Sequence, residues 1–566
     1  MNLNLKSKKQ NTYDAIVVGT GVSGGWAAKE LCEKGLKTLV LERGRDVKHV
    51  VDYPTMLKKP WELPYNDRLT AEELKDYEKQ NRTGYTVRQS TKHWWVKDTE
   101  NPYSETKRFD WMRGYHVGGR SIMWGRQSYR LSEMDFEANA KDGIGVDWPV
   151  RYKDIAPWYD HVESFIGVSG SNDGLPQLPD GKYLPPMEFN CIEKHVKQKI
   201  EENFTDRMMT IGRSANLTQP HNGRGKCQFR NKCIRGCPYG GYFSSNSSTL
   251  PAAEITGNMT LRPNSIVTEV IYDADGKRAS GVRILDSETN ETLEFSSKVV
   301  FLCASSMAST QILLQSISDR FPTGLGNDSD QLGRNIMDHH LGAGAFGETD
   351  LFDDQYVRGR RANGIYIPRF RNMKENRTDY VRGYGYQGGG SRENWTRAIK
   401  EFSIGKELKD QMSHPGVWRF GIGGFGETLP NPDNRVTLNT ELRDKYGLPT
   451  LTFDAELKEN EIEMRKDMKV AAAEMLEAAG LKNVTIYDRG SHPGIGIHEM
   501  GTARMGRSPK TSVLNGYNQV HACKNVFVTD GAFMTSSACQ NPSLGYMAFT
   551  ARAADHAVNE INRGNL

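Results

Sequence analysis

The 566-residue chain is long enough for one large core or several domain-sized ones. Its 74 Lys and Arg nearly balance 70 Asp and Glu, for a net charge of +4, which excludes the broad basic field of a nucleic-acid binder. Hydrophobic residues make up 37%, no apolar run approaches the roughly 18–20 residues of a membrane span, and eight cysteines in so long a chain do not form a disulfide scaffold. The opening MNLNLKSKKQNTYD is polar and basic, without the apolar stretch of a secretory signal. It predicts a cytoplasmic protein, or one exported by a route the chain does not itself carry.

Residues 13–18, YDAIVV, are apolar and rich in β-branched side chains, and they predict a buried parallel strand. The strand leads into Gly19-Thr20-Gly21-Val22-Ser23-Gly24, then a helical pattern ending at Gly35, then KTLVLE ending at Glu42. Strand, G-x-G-x-x-G, helix, strand and acid, in that order, describe an adenine-dinucleotide site. Gly19 and Gly21 allow a tight turn and close approach to a pyrophosphate, Gly24 allows close helix packing, and the helix N-terminus supplies positive dipole. Glu42 follows Gly19 by 23 residues, where an acid accepts from a ribose hydroxyl. The motif alone does not separate FAD from NAD.

Residues 61–95 are polar with aromatic insertions, which suits a lid, a partner surface or a solvated excursion. Residues 227–238, CQFRNKCIRGCP, gather three of the eight cysteines, an awkward number for a zinc site of four ligands or for paired disulfides. Residues 258–303 alternate as a β-meander with Asp-Gly turn chemistry and end in the buried strand VVFLCA. RVTLN (435–439) and LPTLTFDAE (448–456) have strand patterns, and 459–480 is a long helix closed by Gly480. Neither a repeat nor a low-complexity tract interrupts the chain.

The C-terminal part carries HEMGTARMG (498–506) and NVFVTDGAFMTSSACQNPSLG (525–545), followed by a small-residue helix. With GYHVGGRSIMWGRQ (114–127) and VVFLCASSMASTQILLQS (299–316), these motifs resemble, in order, the glucose–methanol–choline family of FAD oxidoreductases. The resemblance covers nearly the whole chain. It implies an α/β fold, α+β overall: a Rossmann-like FAD-binding domain with a discontinuous substrate domain built on a mostly antiparallel sheet. The FAD-binding domain takes residues 1–47, 105–135, 210–340 and 490–566, including the cysteine loop. The substrate domain and its excursions take 48–104, 136–209 and 341–489, so that 435–439 and 448–456 belong to the sheet over the flavin.

Carried residue by residue, the resemblance makes His498 the proton acceptor for the substrate hydroxyl, a role that neutral imidazole suits. Asn541 orients the hydroxyl and cannot serve as a base. Cofactor binding falls to Gly19, Gly21, Gly24, Glu42, Gly118, Gly119, Ser121, Trp124, Val267, Asp530, Gly531, Asn541 and Pro542. His521 is structural or flavin-adjacent, and His339 and His340 are landmarks without assigned chemistry. Met123 stands where relatives resembling pyranose oxidases have a flavin-linked histidine, so FAD is expected to be held non-covalently.

The spacing C-x5-C-x3-C-P ends like the tail of the bacterial ferredoxin run, and Cys227, Cys233 and Cys237 match a 3Fe-4S cluster at one thiolate per iron. Zinc with His221 as fourth ligand, or plain structural cysteines, are the alternatives. The same spacing recurs in the family's membrane-linked sugar dehydrogenases, including glucoside 3-dehydrogenases. The expected activity is therefore oxidation of a sugar or glycoside ring hydroxyl, at C3 of glucosides, with electrons leaving through the cluster. A glucose, gluconate or polyol dehydrogenase acting at another carbon, or an oxygen-using oxidase with structural cysteines, remains the alternative. A third is a non-catalytic flavoprotein, against which intact His498 and Asn541 argue. Expected partners are a small subunit with a twin-arginine signal and a cytochrome c-type acceptor. They imply periplasmic export in complex; no nucleic acid and no direct membrane span are expected.

Overall fold

A computed structural model describes residues 11–357, 359–374, 377–393 and 404–566. The apolar run after Asn11 becomes the strand Thr12–Val18, in the middle of the largest sheet. Ala15, Ile16 and Val17 are wholly buried, as a strand covered on both faces requires. Thr38–Leu41 and Thr292–Leu302 flank it in parallel, and Met259–Arg262 and Cys523–Val528 extend the sheet in parallel beyond them. Helix Val22–Glu33 and the last helix, Ser543–Asn562, pack against each other beside this sheet. The meander is present: Ser265–Asp273, Arg278–Asp286 and the first half of Thr292–Leu302 pair antiparallel.

A second sheet has six strands, all antiparallel. Its order is Lys482–Asp488, Ala343–Thr349, Trp418–Gly426, Tyr384–Arg392, Ile365–Ile367 and Thr210–Ile211. Along Trp418–Gly426 the side chains alternate. Trp418, Phe420 and Ile422 are buried in a cluster with Met464, Met468 and Leu476 of helix Glu459–Ala478. Gly421 and Phe425 face the other way, into a cavity between this sheet and the nucleotide-binding sheet. The edge strand Thr210–Ile211 lies at the start of the segment 210–340 that was assigned to the cofactor domain.

One expectation needs correction. Arg435–Arg443 and Pro449–Asp454 do not join the six-stranded sheet; they form a hairpin that pairs with Ser104–Glu105. The apolar partners decide this. Val436, Leu451 and Phe453 bury against Tyr103, Phe109 and Trp111, with Phe109 and Phe453 stacked at 4.2 Å. The excursion 61–95 is half anchored: Tyr77, Val87, Trp94 and Trp95 are buried, while Trp61 and Tyr65 stand 77% and 67% exposed. No described helix is long and apolar enough to cross a membrane.

Candidate active site

The cavity between the two sheets measures about 1890 Å3. At its inner end the chain turns from strand to helix at Gly19, with φ of +96°, where a Cβ would stand 2.5 Å from the Cys303 carbonyl oxygen. A Cβ on Gly24 would lie 1.9 Å from the Gly19 carbonyl oxygen, so side chains are barred where helix meets turn. Gly21 faces open space at the start of helix Val22–Glu33, whose N-terminus has no side-chain cap. Glu42 is anchored by Thr20, whose amide and hydroxyl donate to Oε2 at 3.2 and 2.5 Å, and by the Gly44 amide at 3.0 Å. The Gly118 amide in turn donates to Thr20 Oγ1 at 2.9 Å, tying the GGRSIMW loop to the nucleotide turn.

Gly19, Gly21, Glu42, Gly119, Ser121, Trp124, Val267, Asp530, Gly531 and Asn541 all line this cavity. Gly24 and Gly118 stand behind its wall, and Pro542 precedes the last helix as its N-cap. The residues fit FAD. Ser23 Oγ and Tyr546 OH line the cavity, are buried, and have no protein partner, which leaves two polar groups for a ligand to satisfy. Asp530, held by Ser309 Oγ at 2.5 Å and the Ala532 amide at 3.1 Å, has its pKa raised to about 6 by burial. Met123 is buried and also reaches the cavity.

Midway along, His498 and Asn541 meet: Asn541 Nδ2 is 3.5 Å from His498 Nε2. The other ring nitrogen of His498 is 2.8 Å from His339 Nδ1, and His339 Nε2 is 2.9 Å from the Ala538 carbonyl oxygen. These contacts decide where the protons are. A carbonyl only accepts, so His339 carries its proton on Nε2 and presents a bare Nδ1. His498 must then carry its proton on Nδ1, and its Nε2 lone pair faces Asn541 and the cavity. Both rings stay neutral: burial lowers the pKa of His339 to about 4 and holds that of His498 well below the usual imidazole value, helped by His339 and Arg120. The backbone is fixed as well, since the Gly494, Gly496 and His498 amides all donate to Asp338 at 2.8 to 3.0 Å.

Two further features escaped the sequence. Arg120 donates twice to Glu499 at 3.0 and 2.8 Å, both residues lining the cavity beside His498. Asn541 Oδ1 accepts from Gln387 Nε2 at 2.5 Å, and Gln387 Oε1 accepts from Gln127 Nε2 at 3.0 Å, so the six-stranded sheet positions the amide. The only signals were the Arg in GGRSIMW, the Glu after His498 and the Asp-His-His run at 338–340; no local spacing links them. His340 packs behind the strand at Gly426, and His521 meets Ser512 Oγ at 2.9 Å.

At the outer end, Cys227 and Cys233 line the same cavity. The three thiols are close enough to feel one another. Burial first, then the charges of Cys233 and Cys237, raises the pKa of Cys227; burial and Cys233 do the same for Cys237. Backbone amides of Phe229, Tyr239 and Gly241 point at their sulfurs. His221 is engaged elsewhere, with Nε2 2.8 Å from the Ser164 carbonyl oxygen. Among the described residues no group of three or more His, Cys, Asp or Glu side chains is disposed around a metal position. The three thiols share one loop, and they are not drawn into one coordination sphere.

Fold and site together define an FAD-dependent oxidoreductase that acts on CH–OH groups. The chain belongs to the GMC oxidoreductase family, which it matches over residues 13–341 and again over 430–550. It is 24% identical to the fructose dehydrogenase large subunit of Gluconobacter japonicus, over 99% of this chain and 100% of the relative. It is 27% identical to 2-methyl-1,2-propanediol dehydrogenase of Mycolicibacterium austroafricanum, over 96% and 94%. Among solved structures, pyridoxine 4-oxidase from Mesorbium loti shares the fold, with a TM-score of 0.59 and 16% identity over 96% of this chain and 98% of that one.

Proposed function

We propose that the protein is the catalytic subunit of a dehydrogenase that oxidises a ring hydroxyl of a sugar or glycoside, at C3 of glucosides. The observation that carries the chemistry is the ordered pair of imidazoles, which leaves His498 Nε2 as a neutral lone pair facing the cavity. His498 Nε2 takes the hydroxyl proton, Asn541 Nδ2 holds the substrate oxygen, and His339 keeps the working tautomer in place. Bound FAD supplies the acceptor for the hydride. Arg120, paired with Glu499, stands beside His498 and helps to keep its imidazole neutral.

Cys227, Cys233 and Cys237 would hold a 3Fe-4S cluster, which supplies one-electron steps toward an external acceptor. Cys227 and Cys233 lie on the cavity wall, which supports this. The large-subunit name of the Gluconobacter relative supports a partner subunit. A small subunit with a twin-arginine signal, export in complex to the periplasm and a cytochrome c-type acceptor complete the reading. The absence of a gathered metal group among the described residues favours the second reading, an oxygen-using oxidase with structural cysteines.

Metal analysis and one variant separate the two. Near three irons per chain with acid-labile sulfide are expected. Cys233→Ser should still bleach its flavin with sugar but lose turnover with a protein acceptor. Zinc, or full activity of the variant toward the physiological acceptor, would sink the cluster. Locating the new carbonyl by NMR after turnover of a glucoside panel with an artificial acceptor identifies the carbon; a carbonyl away from C3 ends that assignment.

A further inference from the structure

We propose that the sugar oxidised at His498 carries a negatively charged group, a carboxylate or a phosphate, seated by Arg126, Lys226 and Arg360 in the outer part of the cavity. The inference rests on the reading of this site as one for carbohydrate oxidation, and it adds the class of carbohydrate.

The hydrogen-bonded line from Asn541 through Gln387 reaches Gln127, the neighbour of Arg126 in the sequence. Beyond it the wall carries six cations (Arg126, Lys226, Arg230, Arg360, Arg361 and Arg392) against two carboxylates, Glu188 and Glu193. Three of these cations are already engaged, and a fourth, Arg126, donates from Nη1 to the Trp124 carbonyl at 2.5 Å while its Nε stays without an acceptor. Arg361 binds Glu193 through two contacts of 2.7 Å, Arg392 donates to the carbonyls of Gly416, Asp353 and Gln355, and Arg230 donates to the Met56 carbonyl. Among the described residues, Arg126, Lys226 and Arg360 line the cavity without an ion pair to a carboxylate. No carboxylate among the described residues answers these three side chains, and cations in a recess focus the field on an incoming anion.

Arg126 is built into place. Its φ of +66° is a region that a long side chain occupies only when its surroundings hold it there. The Ala215 amide and Ser128 Oγ both donate to its carbonyl, at 2.9 and 3.0 Å. Its Nε is buried with no acceptor, and its guanidinium lies 5.3 Å from the Tyr242 ring centroid. Arg360 is tied to the segment at Phe229, which also lines the cavity, since its amide donates to the Phe229 carbonyl at 3.1 Å. Lys232 and Arg235 of the cysteine loop are instead engaged with the carbonyl of Lys58. A guanidinium with free donors matches a carboxylate or phosphate in geometry and charge.

The test is anaerobic flavin reduction without any acceptor, using matched sugars: methyl glucoside against methyl glucuronide, and glucose against glucose 6-phosphate. At least one anionic member should reduce the flavin about tenfold more efficiently than its neutral match, and the advantage should shrink as salt rises. The glucuronide and phosphate arms distinguish the two anions. Arg360→Gln, on an exposed segment that threatens no fold, and Arg126→Gln should each lower the anionic-to-neutral ratio several-fold with FAD content unchanged. Neutral sugars performing as well, or a ratio that survives both variants, overturns the inference and leaves the proposed function intact. A flavin that no carbohydrate of either charge bleaches overturns the proposed function, and the inference with it.

Discussion

Replacing His339 by Phe should slow the reductive half-reaction about ten- to a hundredfold without touching the cofactor. Phe keeps the ring volume beside Phe425 but removes the acceptor that His498 Nδ1–H reaches at 2.8 Å. A buried donor left without a partner costs about 1–3 kcal/mol. The imidazole escapes that cost by moving its proton to Nε2, where Asn541 and the substrate stand, and the lone pair that serves as base is then gone. A bias of this size between the two tautomers corresponds to roughly five- to 150-fold in the working form, at about 1.36 kcal/mol per factor of ten. His498→Ala, which removes the base outright, sets the floor at a loss of at least about 100-fold.

Stopped-flow bleaching of the flavin by saturating sugar measures the step, and bound FAD per chain controls for folding. His339→Asn supplies the discriminating comparison. The amide oxygen of Asn falls near the position of His Nδ1 and can accept from His498, so this variant should recover much of the rate. A Phe variant that bleaches at the wild-type rate would remove His339 from the mechanism. Equal losses in Phe and Asn would reduce it to a packing residue.

Three shorter expectations accompany this one. Because burial holds both His498 and His339 well below the usual imidazole pKa, base-dependent flavin reduction should persist as pH falls through 6.5; an acid limb centred near 6.5 would contradict the buried, neutral pair. Gly24→Ala drives a Cβ to within 1.9 Å of the Gly19 carbonyl oxygen, so the protein should purify with most of its FAD missing; full occupancy by absorbance would show that the turn can yield. Acid or heat should release all the FAD into solution, since Met123 cannot form the histidyl linkage; flavin pelleting with the polypeptide would reveal another tether.

The nucleotide half of the molecule was legible because its signals are local. A β-branched run, three spaced glycines and an acid 23 residues after Gly19 each dictate a backbone event within one βαβ unit. His498 and Asn541 were legible for the same reason, each inside a contiguous motif. The hairpin Arg435–Arg443 and Pro449–Asp454 was misplaced because its alternation says that one face is buried without saying against what. The aromatic partners Tyr103, Phe109 and Trp111 lie more than 300 residues earlier. His339 was passed over on the same account: 159 residues separate it from His498, and its importance lies in which nitrogen touches which.

That contrast also explains how two sheets share one site. The parallel sheet delivers glycines and helix N-termini, groups that bind through backbone and tolerate almost any sequence elsewhere. The antiparallel sheet contributes side chains: Gln387 on one of its strands fixes Asn541, and Phe425 on the next packs 6.5 Å from His339. His498 lies between them on a loop pinned by the three amides that Asp338 accepts. The proposed base therefore takes its position from Asp338 and its tautomer from His339, two neighbours in sequence that approach it from the segment leading into the second sheet. A change in the substrate sheet can alter which sugar enters while leaving the base ordered, provided Asp338 and His339 stay where they are. On the proposed reading, the His498–Asn541 pair and the recess lined by Arg126, Lys226 and Arg360 can for this reason vary independently, one set by the Asp-His run and the other by Arg126 and the segment around Arg360.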